Sequence, residues 1–204
     1  MSDTAVVLLA AGNSSRMGSA KQLLPFLGKP LLRHAAEIAL ASGSHPVVVV
    51  LGSRAEELRP VLDGLPVHIT VNPHWSQGMG TSIQAGLRVL DSFAVKGAII
   101  TLADQPFVSS EILCRLAQMH HESGKAIVAA QYSDTVGVPA FFSRAAFPWL
   151  QALPPHQGCK GVILSHAQDS HLVDCPEAAI DIDTPEEYRA WYQDSGKRAV
   201  GNFQ

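Results

Sequence analysis

Apolar residues occur in five short and nearly continuous runs along the chain. Each run is rich in valine, isoleucine, leucine or alanine and has little of the alternation that marks a strand with one face in water. Such runs are typical of strands that are buried on both faces, as in a parallel sheet. We therefore predict strands at 6–10, 46–52, 67–72, 97–103 and 126–132.

The segments between these runs have the spacing of amphipathic helices. In 30–42, for example, Leu31 and Ile38 fall on the same face of a helix. The same spacing predicts helices at 55–62, 80–90 and 109–123. Ser109 or Ser110 is a suitable N-cap for the last of these helices. Strands that alternate with helices form βαβ units, so the pattern predicts an α/β fold with a mostly parallel sheet.

The pattern is less regular after Tyr132. It predicts strands at 137–143 and 171–175 and helices at 144–153 and 159–168. A final helix is expected to begin with Thr184 as its N-cap and Pro185 at its first position. Because no long linker divides the chain, we predict one domain over 1–204, with a loose tail at about 196–204.

The charge of the chain is small overall but is unevenly distributed. The 204 residues are 47% hydrophobic and 16% charged, and the net charge is −3. This balance argues against a nucleic-acid partner, which usually needs a basic surface. Basic residues nevertheless dominate the first 33 positions, where a single acid, Asp3, faces Arg16, Lys21, Lys29 and Arg33. A small anionic ligand is the expected partner of such a region.

The cysteines and the apolar runs indicate the cellular location. The three cysteines, Cys114, Cys159 and Cys175, are far apart and form no CxxC pair. They are expected to be reduced thiols rather than part of a disulfide framework or a zinc site. The first apolar run lacks the features of a signal peptide, and no run approaches the length of a membrane span. We expect a cytoplasmic protein that has no membrane partner.

A polar loop that contains glycine follows the first predicted strand. It does not match a Walker A loop, because Lys21 does not follow a glycine, nor a Rossmann fingerprint, because the second glycine of G-x-G-x-x-G is missing after Gly12. Its small residues, its backbone N–H groups and the cations Arg16 and Lys21 could bind a triphosphate. An ordinary βα loop with incidental charges explains these features equally well.

Three aspartates are candidates for binding a metal ion. Asp104 follows the predicted strand at 97–103, and ligands bind at the carboxyl ends of parallel strands. A lone carboxylate there suits Mg²⁺, although an aspartate that caps a turn is also common. Asp181 and Asp183 face the same side of an extended segment, so either could supply a second carboxylate. Asp183 could instead belong only to the start of the last helix.

The segment 72–86 joins Trp75, Gly78 and Gly80 to the start of a predicted helix. Such an arrangement could bind a base or a phosphate at the helix N-terminus, or could be a tight turn that packs Trp75. Ser82 does not lie in a G-x-S-x-G motif, so a hydrolase nucleophile is not expected.

Four motifs occur in a characteristic order: LLAAGNSSRMGSAKQLLPFLGKPLL, NPHWSQGMGTSIQAGL, LADQPFV and DIDTPEEY. From about residue 6 to about residue 188, the chain resembles the MobA-like NTP transferases, which are related to molybdenum cofactor guanylyl- and cytidylyltransferases. The resemblance implies a Rossmann-like three-layer αβα sandwich of the nucleotide-diphospho-sugar transferase type. It also implies transfer of a nucleoside monophosphate from an NTP to a phosphorylated acceptor, with release of pyrophosphate.

The resemblance further implies roles for individual residues. The implied nucleotide-binding residues are Leu9, Ala10, Ala11, Gly12, Arg16, Lys21, Gly78, Gly80 and Ser82. Arg16 and Lys21 would hold the triphosphate and would count as catalytic, together with Asp104. Asp104 would also bind Mg²⁺, with Asp183 as the preferred second carboxylate and Asp181 as the reserve.

Two positions bear on the choice of substrates. Guanylyl members of the family tend to read L-A-G-G, whereas cytidylyl members have an alanine before the glycine, so Ala11 favours CTP over GTP. Cytidylyl relatives commonly read G-D-K-G, whereas this chain has Cys159 in place of the acid. Lys160 remains as the implied acceptor-binding residue.

The partners expected from the resemblance are CTP or GTP, a molybdopterin-type phosphorylated acceptor and molybdoenzymes during their maturation. Three alternatives stay open on the same fold: a guanylyltransferase, a nucleotidyltransferase for sugar or alditol phosphates, and an NAD(P)H-dependent oxidoreductase.

Overall fold

A seven-stranded sheet is the centre of the fold. The computed structural model describes residues 3–14, 17, 20–182, 184 and 186–189. The strands of the sheet are β1 (Thr4–Ala10), β4 (Val47–Leu51), β5 (His68–Val71), β6 (Gly97–Leu102), β7 (Ile127–Tyr132), β8 (Thr135–Ser143) and β9 (Ser170–Asp174). A separate small hairpin consists of β2 (Pro25–Phe26) and β3 (Lys29–Pro30).

Helices cover both faces of the sheet. They are α1 (Leu31–Ala41), α2 (Ala55–Leu58), α3 (Met79–Leu90), α4 (Ser110–Ser123), α5 (Phe147–Gln151) and α6 (Cys159–Ser165). Short 3₁₀ turns lie at Lys21–Leu23, Arg59–Leu62, Trp75–Gln77, Arg144–Ala146, Ala167–Asp169 and Pro176–Ala179. Helices α3, α5 and α6 pack on one face, and α1, α2 and α4 pack on the other. The predicted three-layer α/β fold is therefore confirmed.

The order of the strands creates a crevice beside β1. The order across the sheet is β5-β4-β1-β6-β8-β7-β9, and β8 is antiparallel to both of its neighbours. From β1 the chain moves outward through β4 to β5 and then returns to β6 on the other side of β1. The carboxyl ends of β1 and β6 thus form a topological switch point, where open α/β sheets bind ligands.

Burial explains why the central strands read as continuous apolar runs. Every residue of β1 is buried, with Val7 in the cluster beneath α3 and Val6 in the cluster beneath α4. β5 differs, because it pairs only with β4 and leaves His68 and Val71 exposed. The expectation that this strand is buried on both faces was wrong, since it lies at the edge of the sheet.

Prolines shorten two of the predicted helices. The helix expected at 55–62 ends at Leu58 and continues as a 3₁₀ turn, since Pro60 has no N–H for the next helical hydrogen bond. The helix expected at 144–153 begins as a 3₁₀ turn, and its α-helical part, with Pro148 in the first turn, ends at Gln151. The β2–β3 hairpin was not predicted, and its turn has positive φ at Leu27 and Gly28.

The predicted helix caps are present. Ser109 Oγ accepts a hydrogen bond from Ile112 N at 3.4 Å and caps α4. Thr184 Oγ1 accepts from Glu187 N at 3.2 Å while Glu187 Oε2 accepts from Thr184 N at 2.8 Å, which is a reciprocal capping box. Pro185 and the tail at 196–204 lie outside the described residues, and the single domain over 1–204 stays a prediction. In the part of the chain that the structure describes, no helix combines the length and apolar character needed to cross a membrane.

Candidate functional site

A cavity of about 400 Å³ lies at the switch point between β1 and β6. This volume is within the range of small-molecule binding sites. Its wall consists of the loop after β1, the end of β6 and the start of α3: Leu9, Ala10, Ala11, Gly12, Asn13, Ser14, Lys21, Gln22, Trp75, Ser76, Gly78, Met79, Ser82, Leu102, Ala103 and Asp104. The structure therefore brings together most of the residues that the sequence motifs predicted for the nucleotide.

The loop after β1 is held in shape by the buried amide of Gln22. Gln22 Nε2 donates to the backbone oxygen of Gly12 at 2.9 Å, and its Oε1 accepts from Ser14 Oγ at 3.1 Å. The backbone N–H of Lys21 donates to the same Ser14 hydroxyl at 3.1 Å. Sequence reasoning missed Gln22, whose only signal was a polar residue at the start of an apolar segment. Arg16 lies outside the described residues.

Lys21 and Asp104 form an ion pair in the wall of the cavity. Lys21 Nζ contacts Asp104 Oδ2, and the two side chains are only 13% and 21% exposed. The residues are 83 positions apart in sequence, and the fold joins them because β1 and β6 pair in parallel up to Leu9 and Leu102. The next residue, Ala103, donates its N–H to Leu9 O at 3.1 Å and so fixes the backbone just before Asp104.

The other carboxylate oxygen of Asp104 lacks a donor. Oδ1 is buried and has no hydrogen-bond partner among the described residues. Burying a charged oxygen without a partner is unfavourable, so such an atom indicates a ligand. Carboxylate oxygens suit Mg²⁺ and Mn²⁺, and Mg²⁺ often takes only one or two carboxylates together with phosphate oxygens. Asp104 therefore fits a divalent cation, although the described residues contain no cluster of three or more metal-ligand side chains.

The segment that contains Asp181 runs beside Asp104. The backbone N–H of Ile182 donates to Asp104 O at 3.0 Å, and its buried side chain packs with Phe26 and Leu31. Asp181 itself is exposed. Burial, and to a smaller degree the negative charge of Asp181, raises the pKa of Tyr132 above its usual value. Asp183 lies outside the described residues, so the choice of a second metal carboxylate stays a prediction.

The opposite wall of the cavity depends on close packing around Gly52. A Cβ atom at this position would lie 2.6 Å from Trp75 Cβ and 2.7 Å from Ala11 O, which is too close for any side chain. Gly78 has φ +126°, and a Cβ there would lie 2.5 Å from Pro155 O. Both glycines therefore let neighbouring backbone approach the cavity wall.

Three residues that the motifs singled out do not line the cavity. Gly80 is buried beneath the segment at 154–157 and donates its N–H to Pro155 O at 2.9 Å. Lys160 is exposed near the start of α6. Cys159 is 3% exposed within the apolar cluster beneath α3, and burial raises its pKa to about 12, so the thiol is protonated at neutral pH.

Comparison with known proteins identifies similar sequences. A profile described as the MobA-like NTP transferase domain matches residues 6–171. The purine catabolism protein PucB of Bacillus subtilis (strain 168) is 32% identical over 200 residues, which cover 89% of this chain and 92% of PucB. The nicotine blue oxidoreductase of Paenarthrobacter nicotinovorans is 40% identical over 129 residues, which cover 63% of this chain and 61% of that protein.

Solved structures with a similar fold include Rv0371c of Mycobacterium tuberculosis H37Rv. It superposes with a TM-score of 0.78 at 27% sequence identity, covering 94% of this chain and 98% of that chain. A structure of Rv0371c in complex with manganese has a TM-score of 0.69 at 30% identity, covering 92% and 96% of the two chains.

Proposed function

The chain belongs to the family of MobA-like NTP transferase domains, and on that premise we propose that it transfers a nucleoside monophosphate from an NTP to a phosphorylated acceptor. The observation that carries the proposal is the Lys21–Asp104 pair, in which Asp104 Oδ1 has no hydrogen-bond partner among the described residues, in the wall of a nucleotide-sized cavity. A cation and a carboxylate with a free oxygen suit a metal-bound triphosphate better than an uncharged ligand.

The proposed reaction needs no general base on the protein. An oxygen of the acceptor phosphate, already ionised at neutral pH, attacks the α-phosphorus of the NTP. A new P–O bond forms, the bond from the α-phosphorus to the oxygen bridging to the β-phosphorus breaks, and pyrophosphate leaves with the electron pair. Catalysis then requires alignment of the two substrates and neutralisation of the charge on the leaving group.

Lys21 is suited to neutralising the charge on the leaving pyrophosphate. Its ammonium group contacts Asp104 in the wall of the cavity, and a triphosphate would compete for this contact. Arg16 is proposed as a second cation from the same loop. Asp104 would hold a divalent cation, with Asp183 or Asp181 as an additional carboxylate. Such a cation supplies positive charge that offsets the charge developing on pyrophosphate. The manganese complex of Rv0371c supports this assignment.

The finer assignment concerns the substrates and the location. We propose Mg²⁺ as the metal, CTP as the nucleotide because of Ala11, and a molybdopterin-type phosphate as the acceptor. Lys160 is the proposed acceptor-binding residue, and the proposed location is the cytoplasm. The sequence resemblance supports the metal and the two substrates, the three widely spaced cysteines support the location, and GTP is the alternative nucleotide.

Pyrophosphate release tests the proposal. Wild-type protein is incubated with Mg²⁺, each of the four NTPs and a panel of phosphorylated acceptors that includes a molybdopterin-type compound. We expect release with CTP above the other nucleotides, and a loss of at least about 100-fold in Asp104→Asn, which keeps the shape but removes the charge.

The matched control is Asp169→Asn, an exposed aspartate just before the edge strand β9, which is three strands from β6. It should retain wild-type activity. An absence of pyrophosphate with every nucleotide, or full activity of Asp104→Asn, would contradict the proposal.

The similarity to nicotine blue oxidoreductase favours a second candidate function, that of an oxidoreductase, for which we propose NAD(P)H as the electron donor. The lack of a G-x-G-x-x-G fingerprint weighs against it. If NAD(P)H is consumed in the presence of an electron acceptor, and Asp104→Asn leaves that rate unchanged, this candidate replaces the transferase.

A further inference from the structure

A buried amide joins two hydroxyl groups at the start of α3. Asn72 directly follows β5 and is only 1% exposed. Its backbone N–H donates to Leu51 O at 2.8 Å, which holds the residue against the end of β4. Its side chain lies against Thr81 and Ser82, the third and fourth residues of α3.

The direction of each hydrogen bond in this group is determined by one backbone contact. The N–H of His74 donates to Asn72 Oδ1 at 2.9 Å, and a backbone N–H can only donate. This contact fixes the orientation of the Asn72 amide. Asn72 Nδ2 must therefore donate both of its hydrogens, to Thr81 Oγ1 at 2.8 Å and to Ser82 Oγ at 2.9 Å.

The two hydroxyls then use their own hydrogens differently. Thr81 Oγ1 donates to Gly78 O at 2.8 Å, with His74 O at 3.0 Å as an alternative acceptor. Ser82 Oγ accepts from Asn72 but has no acceptor for its own hydrogen among the described residues. Because Ser82 lines the cavity, this hydrogen is available to a ligand there.

The position of Ser82 indicates which part of a nucleotide it meets. Among the described residues that line the cavity, Lys21 and Asp104 are the charged ones, and Asp104 lies at the end of β6. Asn72 lies at the end of β5, three strands away, which is about 14 Å at the usual strand spacing. With the phosphates near Lys21, the end of the cavity with Ser82 and Trp75 is left for the nucleoside.

We propose that Asn72 is a positioning residue that holds the Ser82 hydroxyl as a hydrogen-bond donor toward the nucleobase. The group it meets is an acceptor, either a carbonyl oxygen or a ring nitrogen, and an amino group at that point would find no partner. The choice of nucleotide therefore depends on the direction of the chain of hydrogen bonds from His74 through Asn72 to Ser82. This inference rests on the proposed nucleotide-dependent function.

Reversing the direction of the hydrogen bonds between Asn72 and Ser82 tests the inference. In Asn72→Asp the carboxylate can only accept, so the Ser82 hydroxyl donates to it and turns its lone pairs toward the cavity. Calorimetry with CTP and Mg²⁺, without acceptor, should show about a tenfold loss of affinity for Asn72→Asp and for Ser82→Ala. The double variant should be no weaker than Ser82→Ala within about twofold, because both changes remove the same contact. The order of affinity among the four NTPs should change in Asn72→Asp.

Thr81→Val is the matched control. It removes the other hydroxyl that Asn72 binds but leaves the contact to Ser82, so it should lower Tm without changing CTP affinity by more than about twofold. If Asn72→Asp does not fold, Asn72→Ala replaces it, because it also removes the amide that holds the Ser82 hydroxyl and its loss of affinity should likewise not multiply with that of Ser82→Ala. Ser82→Cys, whose thiol is a weak donor, should lose affinity as Ser82→Ala does.

The inference is overturned if the losses of CTP affinity in Asn72→Asp and Ser82→Ala multiply in the double variant. It is also overturned if Ser82→Ala or Ser82→Cys binds CTP like wild type, or if Thr81→Val weakens CTP binding as much as Asn72→Asp does. Its failure is distinguishable from failure of the proposed function. Coupled losses of affinity without any pyrophosphate release would contradict only the transferase, whereas normal release with uncoupled losses would contradict only the role of Asn72.

Discussion

At the scale of single residues, the site contains mostly buried polar side chains, one of which has an oxygen without a hydrogen-bond partner among the described residues. Lys21 and Asp104 are mostly buried and contact each other, yet Asp104 Oδ1 has no donor among the described residues. A buried ion pair adds little to stability when a hydrophobic pair could replace it, so its presence in a cavity wall indicates binding chemistry. Gln22 and Asn72, in contrast, use their amides to fix neighbouring groups.

Gln22→Glu should show how strongly the loop depends on this amide. A carboxylate has no hydrogen to donate to Gly12 O or to Ala10 O, so both oxygens lose this donor and a negative charge is added beside them. We expect a loss of about 1–3 kcal/mol in the free energy of unfolding and weaker CTP binding. Urea unfolding and calorimetry measure the two effects.

Gln168→Glu makes the same chemical change at an exposed position of the Ala167–Asp169 turn and should leave both quantities nearly unchanged. Unchanged stability in Gln22→Glu would show that the amide does not hold the loop.

Sequence patterns predicted some of these residues and could not predict others. The family resemblance implied that Lys21 binds the triphosphate and Asp104 its metal ion, and the structure brings the two side chains into contact. Nothing in the sequence singled out Gln22 or Asn72 as donors. Their roles depend on the direction in which an amide faces, which is decided by contacts such as His74 N to Asn72 Oδ1.

At the scale of elements, the strand ends determine how closely the walls of the cavity approach. Gly52 follows β4 and lies between Ala11, after β1, and Trp75, after β5. Three strand ends therefore meet at a position where only hydrogen fits. The shape of the end of the cavity with Ser82 and Trp75 depends on this contact.

Gly52→Ala should displace that wall. Its Cβ would lie 2.6–2.8 Å from three atoms of Trp75 and Ala11, and all three are Cβ or backbone atoms that cannot rotate away. We expect at least about a tenfold loss of CTP affinity together with lower stability, measured by calorimetry and thermal unfolding.

The control is Gly161→Ala in α6, where a new Cβ meets only the flexible side chain of Gln157 at 3.3 Å. It should keep wild-type affinity. Wild-type binding by Gly52→Ala would contradict the role assigned to this packing.

At this scale, local sequence patterns predict which segments form strands and helices but not which strand lies at the edge of the sheet. Continuous apolar runs identified the central strands, but the run at 67–72 gave no sign that β5 lies at an edge with one neighbour. The β2–β3 hairpin is two residues per strand, too short for any periodicity to reveal. Pro60, in contrast, is a signal in the sequence that the prediction of one helix over 55–62 did not use, and the α-helix ends at Leu58.

At the scale of the whole molecule, the site exists because of the order of the strands. The loop after β1, the start of α3 after β5 and the end of β6 meet only because the chain reverses its path across the sheet at β1. The alternation of strands and helices predicted the α/β class but not this order, and it did not reveal that β8 runs antiparallel between β6 and β7. The motifs, through the family resemblance, predicted the three-layer sandwich but likewise gave no strand order.

The most direct test of the central claim follows the α-phosphate of the nucleotide. CTP labelled at the α-phosphorus is incubated with Mg²⁺ and a molybdopterin-type phosphorylated acceptor, in parallel with CTP labelled at the γ-phosphorus. The account predicts that the α-label moves onto the acceptor while the γ-label is recovered as pyrophosphate, and that Asp104→Asn abolishes both. Release of the γ-label as inorganic phosphate, or an acceptor that stays unlabelled with every NTP and phosphorylated compound tried, would contradict it.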